Sequence, residues 1–209
     1  MRKLLLLLTL ILCSCFLLSA HPHMLLLPKL EFECDGETFL GVWVDWGFDS
    51  MFSLSIIDSY DWNKDGEFDA DETQSVHDYA FINLENYGYF LSIREGDQRY
   101  TPSGTSGFSV RQVEGKLFYR FFVSFQEWSL GKDISVNVFD PTYFCAVQYA
   151  DPAIIVRQAS GAMPDFRLEE NKDYPVYYNP MGTVDDDTTY DQWKPGLETA
   201  YPEEAHVWF

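Results

Sequence analysis

Basic residues are scarce in this chain of 209 residues. Fourteen Lys and Arg stand against 33 Asp and Glu, which gives a formal net charge of −19 at pH 7. Nucleic acids and anionic membranes attract proteins through positive charge, so the balance argues against both as partners. An acidic chain suits a protein that binds cations, and it equally suits an ordinary solvated surface on an exported protein.

The residues that would mark an enzyme are also few. The sequence contains four histidines, no glycine-rich phosphate loop and no internal repeat. Its carboxylates are too numerous for their presence alone to identify a catalytic pair. We therefore expect a protein that is not an enzyme.

The sequence has one long apolar run, and it lies at the start. Arg2 and Lys3 precede the run Leu4–Leu18, and Ser19-Ala20 ends it. This pattern predicts that residues 1–20 are a signal peptide for export to the periplasm or beyond the cell. The run is too short for a membrane span of about 20 residues. Lipidation at Cys15, with anchoring as a lipoprotein, is the alternative.

Cysteines are rare once the signal peptide is set aside. Only Cys34 and Cys145 remain. An oxidising compartment permits a disulfide between them, and two separate buried thiols are an equally good interpretation.

One acidic stretch, residues 61–72, matches the calcium loop of an EF-hand at each required position. Such a loop needs side-chain oxygens at positions 1, 3 and 5, glycine at 6, a backbone carbonyl at 7 and a bidentate carboxylate at 12. Gly66 supplies the turn. The predicted Ca²⁺ ligands are Asp61, Asn63, Asp65, Glu67 through its carbonyl, Asp69 directly or through water, and Glu72.

The loop occurs once. Sensor EF-hands usually occur in pairs and open on binding calcium. A single loop in an exported protein favours a structural role for Ca²⁺, and an acidic surface turn that binds nothing is the alternative.

Hydrophobic periodicity predicts an α+β fold. A hairpin over residues 24–46 comes first, followed by an EF-hand-like helix-loop-helix that ends at Gly88. From Tyr89 the period changes to two, which predicts an antiparallel β-sheet or sandwich built as a meander. We expect one α+β domain over residues 21–166, with the calcium loop at 61–72 inserted in it. Residues 167–209 form an acidic, aromatic segment, predicted to be an extended or partly disordered tail.

Four motifs, read together and in order, resemble domain-of-unknown-function family 1007. They are His21-Pro22-His23, residues 46–53 (WGFDSMFS), residues 87–90 (YGYF) and residues 139–144 (FDPTYF). The similarity covers roughly residues 21–157. The family comprises exported bacterial proteins described as the periplasmic component of an uncharacterised transport system of the nickel, cobalt or zinc type. The resemblance implies transition-metal transport with a membrane permease of the nickel/cobalt type as partner.

A second metal site is predicted at the start of the mature chain. Cleavage after Ala20 would give His21 a free amine beside its imidazole, with His23 close by. Nitrogen ligands suit zinc, copper or nickel better than calcium. Pro22 has no N–H to lose, which disfavours the square-planar copper or nickel motif. Zinc, which takes about four ligands, is the preferred metal, and the family motifs add Asp49 and Asp140 as candidate ligands.

These observations predict an exported metal-binding component of a transition-metal transport system. It would bind zinc, or nickel or copper, near the mature N-terminus, and calcium would stabilise its fold. A calcium-stabilised interaction module is the alternative. A copper histidine-brace redox enzyme is less favoured, because His23 lies too near His21 to face it.

Overall fold

The computed structural model describes residues 22–182 and 188–209. The predicted signal peptide, Cys15 and His21 lie outside these residues. Alternating apolar residues build a first hairpin from β1 (Met24–Asp35) and β2 (Thr38–Phe48). The strands are antiparallel, with Leu26 opposite Phe48 at one end and Asp35 opposite Thr38 at the other. Gly36 turns the chain with φ +62°. The hairpin forms as the sequence predicts.

This hairpin is the middle of a six-stranded sheet in the order β5-β6-β2-β1-β8, with β9 also paired to β1. Strands β5 and β6 add to β2 antiparallel, whereas β8 and β9 pair with successive parts of β1 in parallel. The bounds are β5 (Ser106–Val113), β6 (Lys116–Ser124), β8 (Cys145–Val147) and β9 (Ile154–Gln158).

A five-stranded sheet has the order β10-β13-β7-β3-β4, and a two-stranded ribbon pairs β11 with β12. Buried residues of the two larger sheets belong to one apolar cluster. The bounds are β3 (Leu91–Glu95), β4 (Gln98–Tyr100), β7 (Asp133–Val138), β10 (Asp165–Glu170), β11 (Val176–Tyr178), β12 (Glu198–Ala200) and β13 (Glu203–Trp208).

Two α-helices lie between β2 and β3 in the described part of the chain, α1 (Ser50–Tyr60) and α2 (Ala70–Val76). A π-helical turn over His77–Phe81 and 3₁₀ turns over Ile82–Phe90 follow α2. The 3₁₀ stretch is interrupted at Gly88, where φ is +56°. No helix among the described residues is both long and apolar enough to cross a membrane.

The prediction of an α+β fold with an inserted EF-hand-like helix-loop-helix is wrong. The chain is 44% strand and 17% helix, so β-structure defines the fold. The predicted second helix does not continue to Gly88. Asn83, Asn86 and a run of aromatic residues have low helix propensity, and the helical geometry changes after Val76. The β-rich part of the expectation is consistent with the structure.

The predicted meander is also wrong. Strands β5 and β6, which lie between β4 and β7 in sequence, join the first sheet, while β3 pairs with β7 across that interval. Alternation in the sequence predicts which face of the sheet each side chain occupies, but it does not predict which strand pairs with which. Several neighbouring apolar strands could therefore pair in more than one way.

The C-terminal segment, expected as a tail, contributes strands to the second sheet. Strand β13 lies between β10 and β7 and pairs antiparallel with both. Ala205 and Val207 are fully buried in the core. Two of the acidic residues that suggested a tail, Glu203 and Glu204, lie within this strand. The strand is short, and its partners are distant in sequence, so the local pattern did not predict it.

The two cysteines are separate buried thiols. Cys145 pairs with Met24 at the start of β1, whereas Cys34 lies ten positions further along that strand. Ten residues of extended strand span about 33 Å, and a disulfide requires Cα atoms within about 7 Å. Burial raises the pKa of Cys34 to about 11, and nearby Glu33 contributes.

Candidate metal centre

The acidic loop 61–72 is anchored at both ends by helix termini. The Asp61 backbone N–H donates to the Ile57 carbonyl, 3.0 Å away, and so continues the last turn of α1. Asp69 caps α2, since its Oδ1 accepts hydrogen bonds from the N–H groups of Asp71 and Glu72, each at 2.9 Å. Both ends of the loop are therefore held by hydrogen bonds to the adjoining helices.

Within the loop, side-chain oxygens fold back onto the main chain. The Asp61 Oδ2 accepts from the Gly66 N–H at 3.2 Å. The Asn63 Oδ1 accepts from the Asp65 N–H, and the Asp65 Oδ1 accepts from the Glu67 N–H, both at 2.8 Å. These hydrogen bonds hold the side-chain oxygens of Asp61, Asn63 and Asp65, at loop positions 1, 3 and 5, against the tightly turned backbone of the loop. A carboxylate or amide oxygen has a second lone pair, so it can also accept a cation.

Glu72 closes the loop. Its Oε1 accepts from the Trp62 N–H at 2.8 Å and its Oε2 from the Asp69 N–H at 3.1 Å. The residue is 1% exposed. One carboxylate thus joins the two ends of the loop, at the position where an EF-hand places its bidentate ligand.

The electrostatics of the loop suit a cation. Asp61 and Glu72 are both buried, and the ion pairs of the described residues include neither. The Asp61 Oδ1 is buried without a hydrogen-bond partner. Burying unpaired carboxylates is costly, and a hard divalent ion bound by oxygens would offset that cost. The residues present therefore fit Ca²⁺.

The ligands are not all gathered at one point. Within residues 22–182 and 188–209, no three His, Cys, Asp or Glu side chains form a group that could hold a metal ion. Two of the six expected calcium ligands are not acidic side chains: they are the Asn63 amide oxygen and the Glu67 backbone carbonyl. The remaining carboxylates of the loop accept the backbone hydrogen bonds described above.

Gln112 of β5 contacts the loop, and the loop motif gives no signal for it. A Cβ added to Gly66 would lie 2.8 Å from the Gln112 Nε2, and the φ of Gly66 is +85°. The positive φ favours glycine here, whereas an added Cβ would displace only the flexible end of the Gln112 side chain. The Gln112 Oε1 is buried without a hydrogen-bond partner among the described residues. The contact connects the loop to the first sheet.

The structure brings three of the four predicted transition-metal residues to one corner of the first sheet. The His23 N–H donates to the Phe144 carbonyl at 2.9 Å, and the two rings lie 5.2 Å apart. Asp140 is buried in the adjoining turn. Asp49 begins α1 next to β1. His21 lies outside the described residues.

Both aspartates already perform structural roles. The Asp140 Oδ1 accepts from the N–H and Oγ1–H of Thr142, and its Oδ2 accepts from the Cys145 N–H at 3.0 Å. The Asp49 Oδ1 caps α1 through the N–H groups of Met51 and Phe52, and its Oδ2 accepts from the Leu25 N–H at 2.8 Å. These contacts explain both side chains without a metal.

Replacing Asp49 with Ala should destabilise the protein by about 1–2 kcal/mol, the cost of losing an N-cap. Burial opposes ionisation of Asp49, but the N–H groups of Leu25, Phe52 and Met51 together hold its pKa below the usual 3.8. A lowered folded-state pKa contributes stability above 3.8 that is lost as the pH falls through the folded-state value. Urea unfolding at several pH values measures this.

The control for this prediction is Asp58→Ala, on the last turn of the same helix. That residue caps no helix start, so its replacement should leave the acid-sensitive contribution in place. An acid profile of Asp49→Ala identical to that of the unaltered protein would contradict the prediction.

Fold and loop together define a β-rich protein that carries an acidic loop between two short helices. A profile of the family described as "Protein of unknown function (DUF1007)" matches residues 6–209, and the chain belongs to this family. It is 28% identical over 86 residues to an uncharacterized 15.5 kDa protein in the trpE 3′ region of Spirochaeta aurantia. That match covers 41% of this chain and 61% of the relative. No solved structure matches the chain.

Proposed function

We propose that this protein is an exported, non-enzymatic metal-binding protein that holds one Ca²⁺ ion in the loop 61–72. The observation that carries the proposal is the pair of buried carboxylates, Asp61 and Glu72, which no described basic residue neutralises. Both belong to a loop whose residue types match the calcium pattern throughout. Calcium would supply positive charge between the two helix ends and fix their separation.

The role of the ion is structural. The loop lies between α1 and α2, and residues from both sides of it reach the core, including Ile56, Val76 and Phe81. Gln112 adds a contact from the first sheet. Calcium bound here would hold the helical segment against the sheet, and a single loop has no partner loop with which to form a paired sensor domain.

Isothermal titration of the mature protein tests the proposal. We expect one calcium site, and Glu72→Gln should weaken binding by at least about tenfold because it removes the charge and one strong ligand. Glu67→Gln is the matched control, since that exposed side chain is not a ligand and only its carbonyl is. Absence of calcium binding, or equal effects of the two changes, would rule out this site.

Transition-metal transport is the second candidate function. The resemblance to family 1007 implies it, and the location of His23 beside the Asp140 turn favours a site at this corner. In this function the mature N-terminus would take up zinc, with nickel or copper as alternatives, and transfer it to or from a permease of the nickel/cobalt type. Exposed terminal imidazoles would allow rapid exchange.

Zinc titration of the mature protein tests this second function. The binding heat should disappear when His21 and His23 are both replaced with Ala, because these supply the nitrogen ligands. His77→Ala is the control, since His77 lies beside the calcium loop and pairs with Asp78. Zinc binding that survives the double replacement would refute the terminal site.

A further inference from the structure

A pocket of about 150 Å³ is bordered by the end of β7, strand β8 and the start of β13. Four of its lining residues carry aromatic rings and one carries a carboxylate. They are Phe139, Tyr143, Tyr149, Tyr201 and Glu203. Among the described residues, no Lys, Arg or His lines the pocket. We call it the aromatic pocket, and its lining includes none of the predicted metal ligands.

Tyr143 has a backbone conformation that is unusual for a residue with a side chain. Its φ is +59°, in the left-handed region that mainly glycine adopts. Its N–H donates to the Asp140 carbonyl at 2.9 Å, and its ring stacks on Tyr178 with the centroids 3.9 Å apart. The Tyr178 hydroxyl donates to the Glu198 Oε2 at 2.7 Å. Such a conformation persists only where the surrounding structure enforces it, and it is common at ligand sites.

Phe139 and Tyr149 are also held by contacts. The Tyr149 hydroxyl accepts a hydrogen bond from the Val138 N–H at 3.0 Å. The Phe139 N–H donates to the Phe90 carbonyl at 2.8 Å, and its ring lies 6.3 Å from the Tyr143 ring. Both side chains remain partly exposed. The walls of the pocket are therefore set before a ligand binds, which lowers the cost of binding.

The charges around the pocket favour a cation. Glu203 is exposed, and the ion pairs of the described residues do not include it. Burial raises the pKa of the Tyr149 hydroxyl, and the charges of Glu203 and Glu204 raise it further. The electron-rich faces of aromatic rings also attract cations. The net charge of −19 adds a long-range attraction.

The size and lining of the pocket select among cations. A metal ion needs several oxygen ligands, whereas the lining offers a single carboxylate, that of Glu203. An engineered cavity of about 150 Å³ holds benzene, and a trimethylammonium group is about as large as benzene. Such a group has no N–H that needs a hydrogen-bond partner. Its methyl groups contact aromatic rings, which is how proteins recognise quaternary ammonium ligands.

We propose that the aromatic pocket binds a small soluble cation with a trimethylammonium group, of the choline type. The aromatic rings of the pocket would contact the methyl groups, and Glu203 would balance the charge. A phosphocholine group fits less well, because its phosphate would be repelled by Glu203 and by the acidic chain. The inference goes beyond metal binding, so failure of calcium or zinc binding leaves it standing.

Equilibrium dialysis of the mature protein tests the proposal with three probes. They are choline, the neutral isostere 3,3-dimethyl-1-butanol, in which carbon replaces the charged nitrogen, and phosphocholine. We expect saturable 1:1 binding of choline, binding of the alcohol weaker by at least about tenfold for the lost cation–π contacts, and weaker binding of phosphocholine. No choline binding, equal binding of choline and the alcohol, or tighter binding of phosphocholine would overturn the proposal.

Two exposed residues of the lining locate the site. Tyr201 is 40% exposed, and Tyr201→Leu should weaken choline binding by about 2- to 5-fold. Tyr87→Leu is the control, because Tyr87 is 42% exposed and does not line the pocket. Glu203→Gln should weaken binding by a similar factor, and Glu127→Gln, at another exposed position, should not. Choline binding unchanged in Tyr201→Leu or Glu203→Gln, or weakened equally in the controls, would refute the site.

Discussion

Calcium should raise the midpoint of thermal unfolding of the mature protein by about 5–11 °C when the free ion is at 100 times its Kd. A ligand that binds only the folded state at that concentration contributes about 2.7 kcal/mol of stability. In a protein of 150–250 residues each kcal/mol shifts the midpoint by roughly 2–4 °C. Differential scanning calorimetry with and without a chelator measures the shift.

We expect calcium to stabilise the protein because the carboxylates of the loop have no neutralising partner. Without a cation, Asp61 and Glu72 place negative charge in a buried site where the described residues offer no ion pair. The loop also carries Asp65, Asp69 and Asp71, which repel them. Bound calcium would remove this repulsion in the folded state, whereas the unfolded chain separates the charges and would gain little.

Matched variants make the result specific. Glu67→Gln should retain the full calcium-dependent shift, because its side chain is exposed and its carbonyl remains. Glu72→Gln should lose it, because its carboxylate joins both ends of the loop. A shift that persists in Glu72→Gln, or one that magnesium reproduces fully, would contradict calcium binding in this loop, since magnesium requires a tighter octahedral shell.

Replacing Val207 with Asp should destabilise the protein by about 4 kcal/mol or more, among the largest effects of single substitutions. Val207 is completely buried in β13. It pairs with Ile134 of β7 on one side and Phe166 of β10 on the other. A carboxylate at this point has no described partner, so it must be buried charged or take up a proton, and either is unfavourable.

The control is the same substitution at Val113. That valine is 51% exposed at the end of β5, and a surface change of this kind usually alters stability by no more than about 0.5 kcal/mol. Urea unfolding of both variants gives the comparison. Similar stability of Val207→Asp and Val113→Asp would show that the C-terminal strand is not part of the core.

The sequence predicts local features well where the pattern is complete within a few residues. The spacing of Asp61, Gly66 and Glu72 defines the acidic loop, and the structure places it between two helix ends. Alternation in residues 24–48 predicts the first hairpin, which forms around Gly36. Both features depend on residues close together in the chain, so their physical causes are visible in the sequence.

The candidate metal ligands also differ in whether they lie close together in the sequence. The calcium ligands are a contiguous set, and binding of the ion stays a prediction. Asp49 and Asp140 come from separate motifs, and the sequence could not reveal that backbone amides from Leu25 and Cys145 occupy their oxygens. Gln112 has no motif of its own, and only the pairing of β5 with β6 positions it beside Gly66.

The sequence by itself determined the composition of the acidic loop, the faces of the strands and the turns between neighbouring strands. The tertiary structure alone decided which strands pair, that β8 and β9 lie parallel to β1, and that β13 enters the second sheet. Local periodicity specifies which side of a strand is buried, but pairing depends on contacts between residues far apart in the chain. For the same reason the aromatic pocket beside Tyr143 and Tyr201 exists only once β13 pairs with β7.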